Sequence, residues 1–212
     1  MTQDAVQDAQ KPAEAGPPPR RRRGRGRRPA AEVRSDVLDA AGGLLLDAGM
    51  GSFTIEAVAE RAGVSKTTLY KWWPSKGALA LDGYFHAVES ALAFPDTGDL
   101  RADLTAQLRA FVRILTLTPA GRVIAELIGQ AQTDPELSAA LLERYSGPRR
   151  DLAVLRMRGA QAEGRLRPDV DPEVVVDQLW GACYHRLLLP NLPVDEDFAD
   201  SLVANLWRGI GT

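Results

Sequence analysis

Apolar residues recur along this chain at helical spacing, and the stripes they form are separated by glycine, proline and capping residues. The first run, 31–48, sets Val33, Val37, Ala41, Leu44, Leu45 and Ala48 on one face, and Gly49 closes it. A shorter stripe follows Thr54, an N-cap whose hydroxyl can accept from an orphan amide: Ile55, Val58, Ala59 and Ala62. Gly63 stands where a helix must stop in left-handed geometry, which glycine adopts without steric cost. Val64 anchors the turn, Ser65 is placed to cap a third helix, and Leu69 and Trp73 face inward together. Pro74 ends that helix. Ser75 caps another over 75–93, which Phe94-Pro95-Asp96 stops.

Further helices are expected over 99–117, 119–131, 134–163, 171–188 and 195–209. Pro119, Thr133-Asp134-Pro135, Gly164 with Pro168, and Pro190 with Pro193 mark the breaks. Asp134-Pro135 and Asp171-Pro172 read as an N-cap followed by proline at the first helical position. Gly147-Pro148 should kink or split the 134–163 segment. No β pattern or internal repeat appears, so the fold class is all-α. Adjacent Gly42 and Gly43 cost the first helix propensity, about 1 kcal/mol each, and either admit a neighbouring backbone or are simply tolerated.

The pattern acquires chemistry at 54–76, TIEAVAERAGVSKTTLYKWWPSK. It predicts two helices joined by a tight turn, the second crowded with hydroxyls, cations and an aromatic on its outward side: Lys66, Thr67, Tyr70 and Lys71. A helix presented this way fits a major groove and can meet phosphates and base edges together. Lys76 sits in the first turn of the next helix, where a cation opposes the macrodipole by a few tenths of a kcal/mol. A phosphate docked at that N-terminus would remove the conflict; a solvated surface lysine is the plainer reading.

These residues resemble the DNA-binding domain of the tetracycline-repressor (TetR) family of bacterial transcription regulators. The likeness spans 33–82 and rests on FTIEAVAERAGVSKTTLYKWWPSKGAL. It implies phosphate contacts for Thr54, Tyr70 and Lys76, with Lys71 beside them. It also implies positions at the groove floor for Ser65, Lys66, Thr67 and Thr68, with Lys66 and Thr67 the candidate base readers. The chain departs from the family at Trp72-Trp73, where a histidine-like residue and phenylalanine are usual. Trp73 still suits the core, whereas Trp72 reads either as a phosphate or sugar contact or as a structural platform. Behind an Arg-rich arm that composition marks out at 1–30, the resemblance implies a three-helix DNA-binding domain at 31–91 with its helix-turn-helix at 54–73, and an effector-binding and dimerisation domain at 92–212. The last two helices, 171–188 and 195–209, would pair with their copies in a homodimer, since Val175, Leu179, Ala182, Leu187, Phe198, Leu202, Leu206 and Trp207 are too many apolar residues for the two to hide within one chain. The implied partners are double-stranded DNA carrying a palindromic operator and a small-molecule effector.

Charge sharpens the picture. The total is −2, yet residues 20–83 hold 12 Lys/Arg against 7 Asp/Glu, and residues 84–212 hold 13 against 18. One end is cationic and the other would be repelled by DNA, which suits docking by one end. The first 30 residues are proline-rich, poor in apolar residues and expected to be disordered. Seven arginines lie between Arg20 and Arg28. Arg25, Arg27 and Arg28 read either as minor-groove contacts or as a tail that adds salt-dependent affinity for any polyanion.

A ligand site is harder to see. Phe111, Leu115, Glu126, Met157, Trp180 and Tyr184 are the candidate lining residues, and ordinary core packing explains the apolar ones equally well. An enzyme is the competing class. His86, His185 and Cys183 are the sole residues for nucleophilic or metal chemistry of those types. Cys183 and His185, two apart on a helix, diverge, and no phosphate loop, HExxH or GxSxG occurs. No catalytic residue, cofactor or metal is expected. A third reading is an architectural protein coating DNA without sequence preference. No apolar run approaches the roughly 18 residues of a membrane span, and no apolar segment follows the first charges as in a secretory signal. Together with one cysteine, these features suggest a cytoplasmic protein.

Overall fold

The computed structural model describes residues 28–189 and 192–210, and within them the chain is helical without a strand. Ten α-helices follow one another: α1 Ala30–Ser52, α2 Ile55–Ala62, α3 Lys66–Trp72, α4 Lys76–Val88, α5 Leu100–Leu117, α6 Ala120–Ala131, α7 Pro135–Leu141, α8 Gly147–Ala162, α9 Pro172–Leu188 and α10 Glu196–Ile210. A 3₁₀ turn, Glu89–Leu92, extends α4, and one turn of π-helix, Leu142–Ser146, joins α7 to α8. No helix among the described residues is long and apolar enough to cross a membrane.

The helix starts follow local chemistry. Thr54, Ser65 and Ser75 each accept from the amide three residues on, at 3.1, 3.2 and 3.1 Å. Asp134 and Asp171 cap α7 and α9 with proline behind them. The 134–163 segment is divided at 142–146 rather than merely kinked. Pro148 has no amide to donate. The Gly147 amide instead reaches back five residues to the Leu142 carbonyl. A Cβ at Gly147 would lie 2.6 Å from that oxygen.

α1, α2 and α3 enclose Val37, Leu45, Phe53, Val58, Leu69 and Trp73, all fully buried. α4 crosses α1 closely. A Cβ on Gly42 would meet the Gly83 carbonyl at 2.7 Å, and one on Gly83 would meet the Ala41 Cβ at 2.6 Å. Gly42 therefore admits a neighbouring backbone. Gly43 meets only the flexible end of Arg61. The same core continues through α4 into α5, α6, α8 and α9, so the two halves share one apolar interior. α10 lies along α5, held by Arg109 Nε to Asp200 at 2.6 Å and Arg113 to Glu196 at 3.1 Å.

α1 breaks at Gly49 (φ 73°), leaving the Met50 amide outside the helical ladder. Glu126 of α6 accepts from that amide at 2.8 Å and pairs with Arg122 at 3.9 Å. This corrects the expectation for Glu126: its carboxylate clamps α6 to the end of α1 and does not border the cavity between α5, α8 and α9. A carboxylate on an apolar segment announces a partner, but helical spacing does not reveal which one.

Candidate nucleic-acid interface

α2 and α3 meet at Gly63, which takes the left-handed conformation (φ 66°, ψ 34°). The following amide, Val64, donates to Ala59 O at 3.0 Å, closing α2 as the chain reverses. Leu69 and Trp73 point inward, leaving an outward face of Lys66, Thr67, Tyr70 and Lys71. Tyr70 is 55% exposed, a large fraction for an aromatic ring. Thr54 and Lys76, at the starts of α2 and α4, are exposed as well.

Several of the expected contact residues are engaged within the fold. Thr68 is half-buried and shares a 2.9 Å hydrogen bond with Ser65, so this pair stiffens the start of α3. Lys66 Nζ donates to Glu56 of α2 at 2.9 Å. That hydrogen bond holds the Glu56 carboxyl below its ordinary range and the Lys66 ammonium above its own. Trp72 is half-buried and stands edge-on to Trp73, ring centroids 5.7 Å apart. Arg28 pairs with Asp36 of α1. Arg25 and Arg27 lie outside the described residues.

α3 is braced from behind by a carboxylate. Trp73 Nε1 donates to Asp82 Oδ2 at 2.7 Å, and Arg144 Nη1 reaches the same oxygen at 3.1 Å. Arg34 approaches it at 3.5 Å and lies over the Trp73 ring. Asp82 thus connects the last turn of α3 to α1 and to the π-turn. Sequence spacing did not single out this cluster, because its members come from four separate elements.

The π-turn also borders a cavity of about 460 Å³ between α5, α8 and α9. Its walls include Phe94, Phe111, Tyr145, Trp180 and Tyr184. Phe111, Trp180 and Tyr184 were expected there. Leu115 and Met157 were expected too, but both are packed in the core and do not border it. Apolar residues at helical spacing signal burial without separating cavity wall from core. The Tyr145 and Tyr184 hydroxyls lie 3.3 Å apart, and burial holds the Tyr184 phenol well above its ordinary range. Most of the wall escaped the sequence reading, including two polar residues that matter below: Gln107, on the buried face of α5, and Arg149, in the first turn of α8. Gln107 left a visible signal, a polar residue inside the stripe Leu100, Leu104, Leu108 and Phe111.

Cys183 is buried, which pushes its thiol up to about 12, whereas His185 two residues on is exposed. The two do not converge on one site.

Two family descriptions match this chain: bacterial regulatory proteins of the tetR family over residues 37–82, and the tetracyclin repressor-like C-terminal domain over 94–206. The crystal structure of the TetR family regulator SCO0332 is 62% identical with a TM-score of 0.79, covering 85% of this chain and all of that one. The HTH-type transcriptional regulator YdeS of Bacillus subtilis is 36% identical over 82% of this chain and 87% of its own length. The DNA-binding transcriptional repressor TetR of Mycobacteroides abscessus is 31% identical over 76% of this chain and 84% of its own. An exposed, serine-capped helix behind a glycine turn, on a chain whose described residues form helices and no strand, together with these relatives identifies a DNA-binding transcriptional regulator: the protein belongs to the TetR family.

Proposed function

We propose that the protein is a repressor that binds a palindromic operator as a homodimer and leaves it when a small molecule enters the cavity. The observation that carries this reading is the Asp82 cluster, because one carboxylate joins the back of the DNA-facing helix to the wall of the cavity. Arg144 grips Asp82 while its neighbours Leu142, Tyr145 and Ser146 border the cavity. A ligand that reshapes the π-turn would therefore move Arg144, loosen Trp73 and change how α3 is held. To clear an operator well, the ligand must favour the non-binding state by about 10⁴-fold.

In this reading Thr67 and Lys66 meet base edges, the latter after leaving Glu56. Thr54, Tyr70, Lys71 and Lys76 meet phosphates, Ser65 and Thr68 set the helix start, and Trp72 flanks the backbone. Arg25, Arg27 and Arg28 add affinity along neighbouring phosphates. The two α3 helices of a dimer would enter successive major grooves about 34–36 Å apart. α9 and α10 support the pairing, since Leu187 of α9 and Phe198, Leu202, Leu206 and Trp207 of α10 stay half-buried in the single chain. Val175 and Leu179 do not contribute, being consumed by the chain's own core.

Selection of bound duplexes from a random pool at fixed salt tests the proposal. Recovery of an inverted repeat with half-sites one helical turn apart is the expected result. Recovery of a sequence-indifferent pool would replace it with an architectural coat on DNA.

A further inference from the structure

The charges around the cavity are not balanced. Arg149 and Arg150 both border it, and so does one carboxylate, Asp177. Asp177 is committed: Arg150 Nη2 donates to it at 3.2 Å and also reaches the Glu173 carbonyl at 3.3 Å. Arg149 has no such partner, for no carboxylate of the described residues lies within 4.0 Å of its guanidinium. It lies instead against the rings of Phe85 and Tyr145, 5.9 and 5.5 Å from their centroids. A guanidinium held by ring faces beside an apolar cavity keeps its hydrogen-bonding edge for another partner, and the partner that matches it is an oxyanion.

A second group is also unsatisfied. Gln107 is 3% exposed and borders the cavity. Its amide nitrogen donates to Leu92 O at 3.0 Å, which fixes the orientation of the amide. Its Oε1 has no donor among the described residues. A buried acceptor without a partner is costly, and a ligand O–H or N–H that reached it would remove the cost. The remaining walls are mainly apolar and aromatic, and about 460 Å³ suits a drug-sized molecule.

We infer that the cavity takes an organic monoanion with a ring-bearing apolar body, its carboxylate or equivalent oxyanion on Arg149 and a hydrogen-bond donor on Gln107. The inference rests on the reading of this cavity as the effector site. It goes beyond that reading in assigning the charge and polarity of the effector.

The test is calorimetric titration of the protein, residues 1–212, with two matched series, one on a cinnamic and one on a biphenyl body. Each contains the para-hydroxy and para-methoxy carboxylic acids and their methyl esters. In at least one series the hydroxy acid should bind roughly tenfold or more tightly than its ester, as one charge-assisted contact requires. The hydroxyl should bind about threefold or more tightly than the methoxy group. Arg149→Gln should reduce the acid-over-ester ratio to below about twofold while leaving ester affinity unchanged. Gln107→Met should remove only the hydroxyl preference and leave the acid-over-ester ratio of the methoxy compounds in place. Unchanged thermal unfolding is the control for Arg149→Gln, and a retained cooperative transition is the control for Gln107→Met, which also strips the donor from Leu92 O. Equal binding of acid and ester by the wild-type protein in both series, or binding of neither, would overturn the inference without reference to any variant. Addition of the same acids to a protein–operator complex separates the two readings. Acids that bind in the expected order yet leave the complex intact refute effector release and uphold the charge assignment.

Discussion

Lys66 and Glu56 form an exposed ion pair across the turn, at 2.9 Å and with more than half of each side chain open to solvent. Such pairs are weak in water and yield readily to a competing partner. A phosphate or a guanine edge can therefore take Lys66 from Glu56, but the carboxylate then remains beside the DNA and repels it. Glu56→Gln should raise affinity for all duplexes by about threefold at low salt, with the gain shrinking as salt rises, measured by fluorescence anisotropy. Lys76→Ala should weaken all duplexes about equally and lower the salt slope by about one unit. Lys66→Ala should change the ranking of sequences; uniform loss in both lysine variants would remove Lys66 from the list of base readers. Glu126 yields a separate prediction. Glu126→Ala strips the acceptor from the Met50 amide and should cost about 1 kcal/mol in chemical denaturation. Glu126→Gln keeps a carbonyl at the same reach and should recover most of it. Equal losses in the two would mean that the Arg122 charge pairing, and not the amide, is what matters.

The crossing of α1 and α4 is where the DNA-facing half is fastened to the cavity half. Gly83→Ala places a methyl 2.6 Å from the Ala41 Cβ and 3.0 Å from the Gly42 amide nitrogen, neither of which is the free end of a flexible chain. The helices must separate, at a cost of about 1–3 kcal/mol. At roughly 2–4 °C per kcal/mol for a chain of this size, the melting temperature should fall by several degrees. A variant that melts with the wild type would show that the crossing is loose. This junction was only half legible beforehand: Gly42 could be seen to be small, but its opposite number lies forty-one residues away, and a stripe of one helix does not name its neighbour. The caps at Thr54, Ser65, Ser75, Asp134 and Asp171 were fully legible because each acts within three residues of itself. The same locality made the break at Gly147-Pro148 visible. Arg144, Arg149 and Gln107 were not singled out, since their importance lies in what other segments bring to them.

At the scale of the whole molecule, residues 84–212 hold 13 Lys/Arg against 18 Asp/Glu, so the half that follows the DNA-binding helices is repelled by a polyanion. A symmetric pair joined through α9 and α10 would double the attraction while keeping both reading helices on one side of the duplex. Leu206 tests this arrangement directly. It is half-buried near the end of α10, so a charge there can still reach solvent in the monomer but would be sealed in the paired state. Leu206→Glu should therefore convert the protein to monomer by analytical ultracentrifugation while changing its own unfolding little. Affinity for an inverted repeat should fall towards that for a single half-site, and the salt slope should drop to about half, because half as many phosphates are met by each binding unit. If Leu206→Glu stays dimeric and keeps full affinity, the pairing surface lies elsewhere. α8 would then be the place to probe, because Leu152 and Leu155 are 44% and 67% exposed on it. The same mutations on that helix would then have to produce the monomer and the halved salt slope together, since either change alone would not separate loss of pairing from damage to the cavity wall that Leu152 also forms.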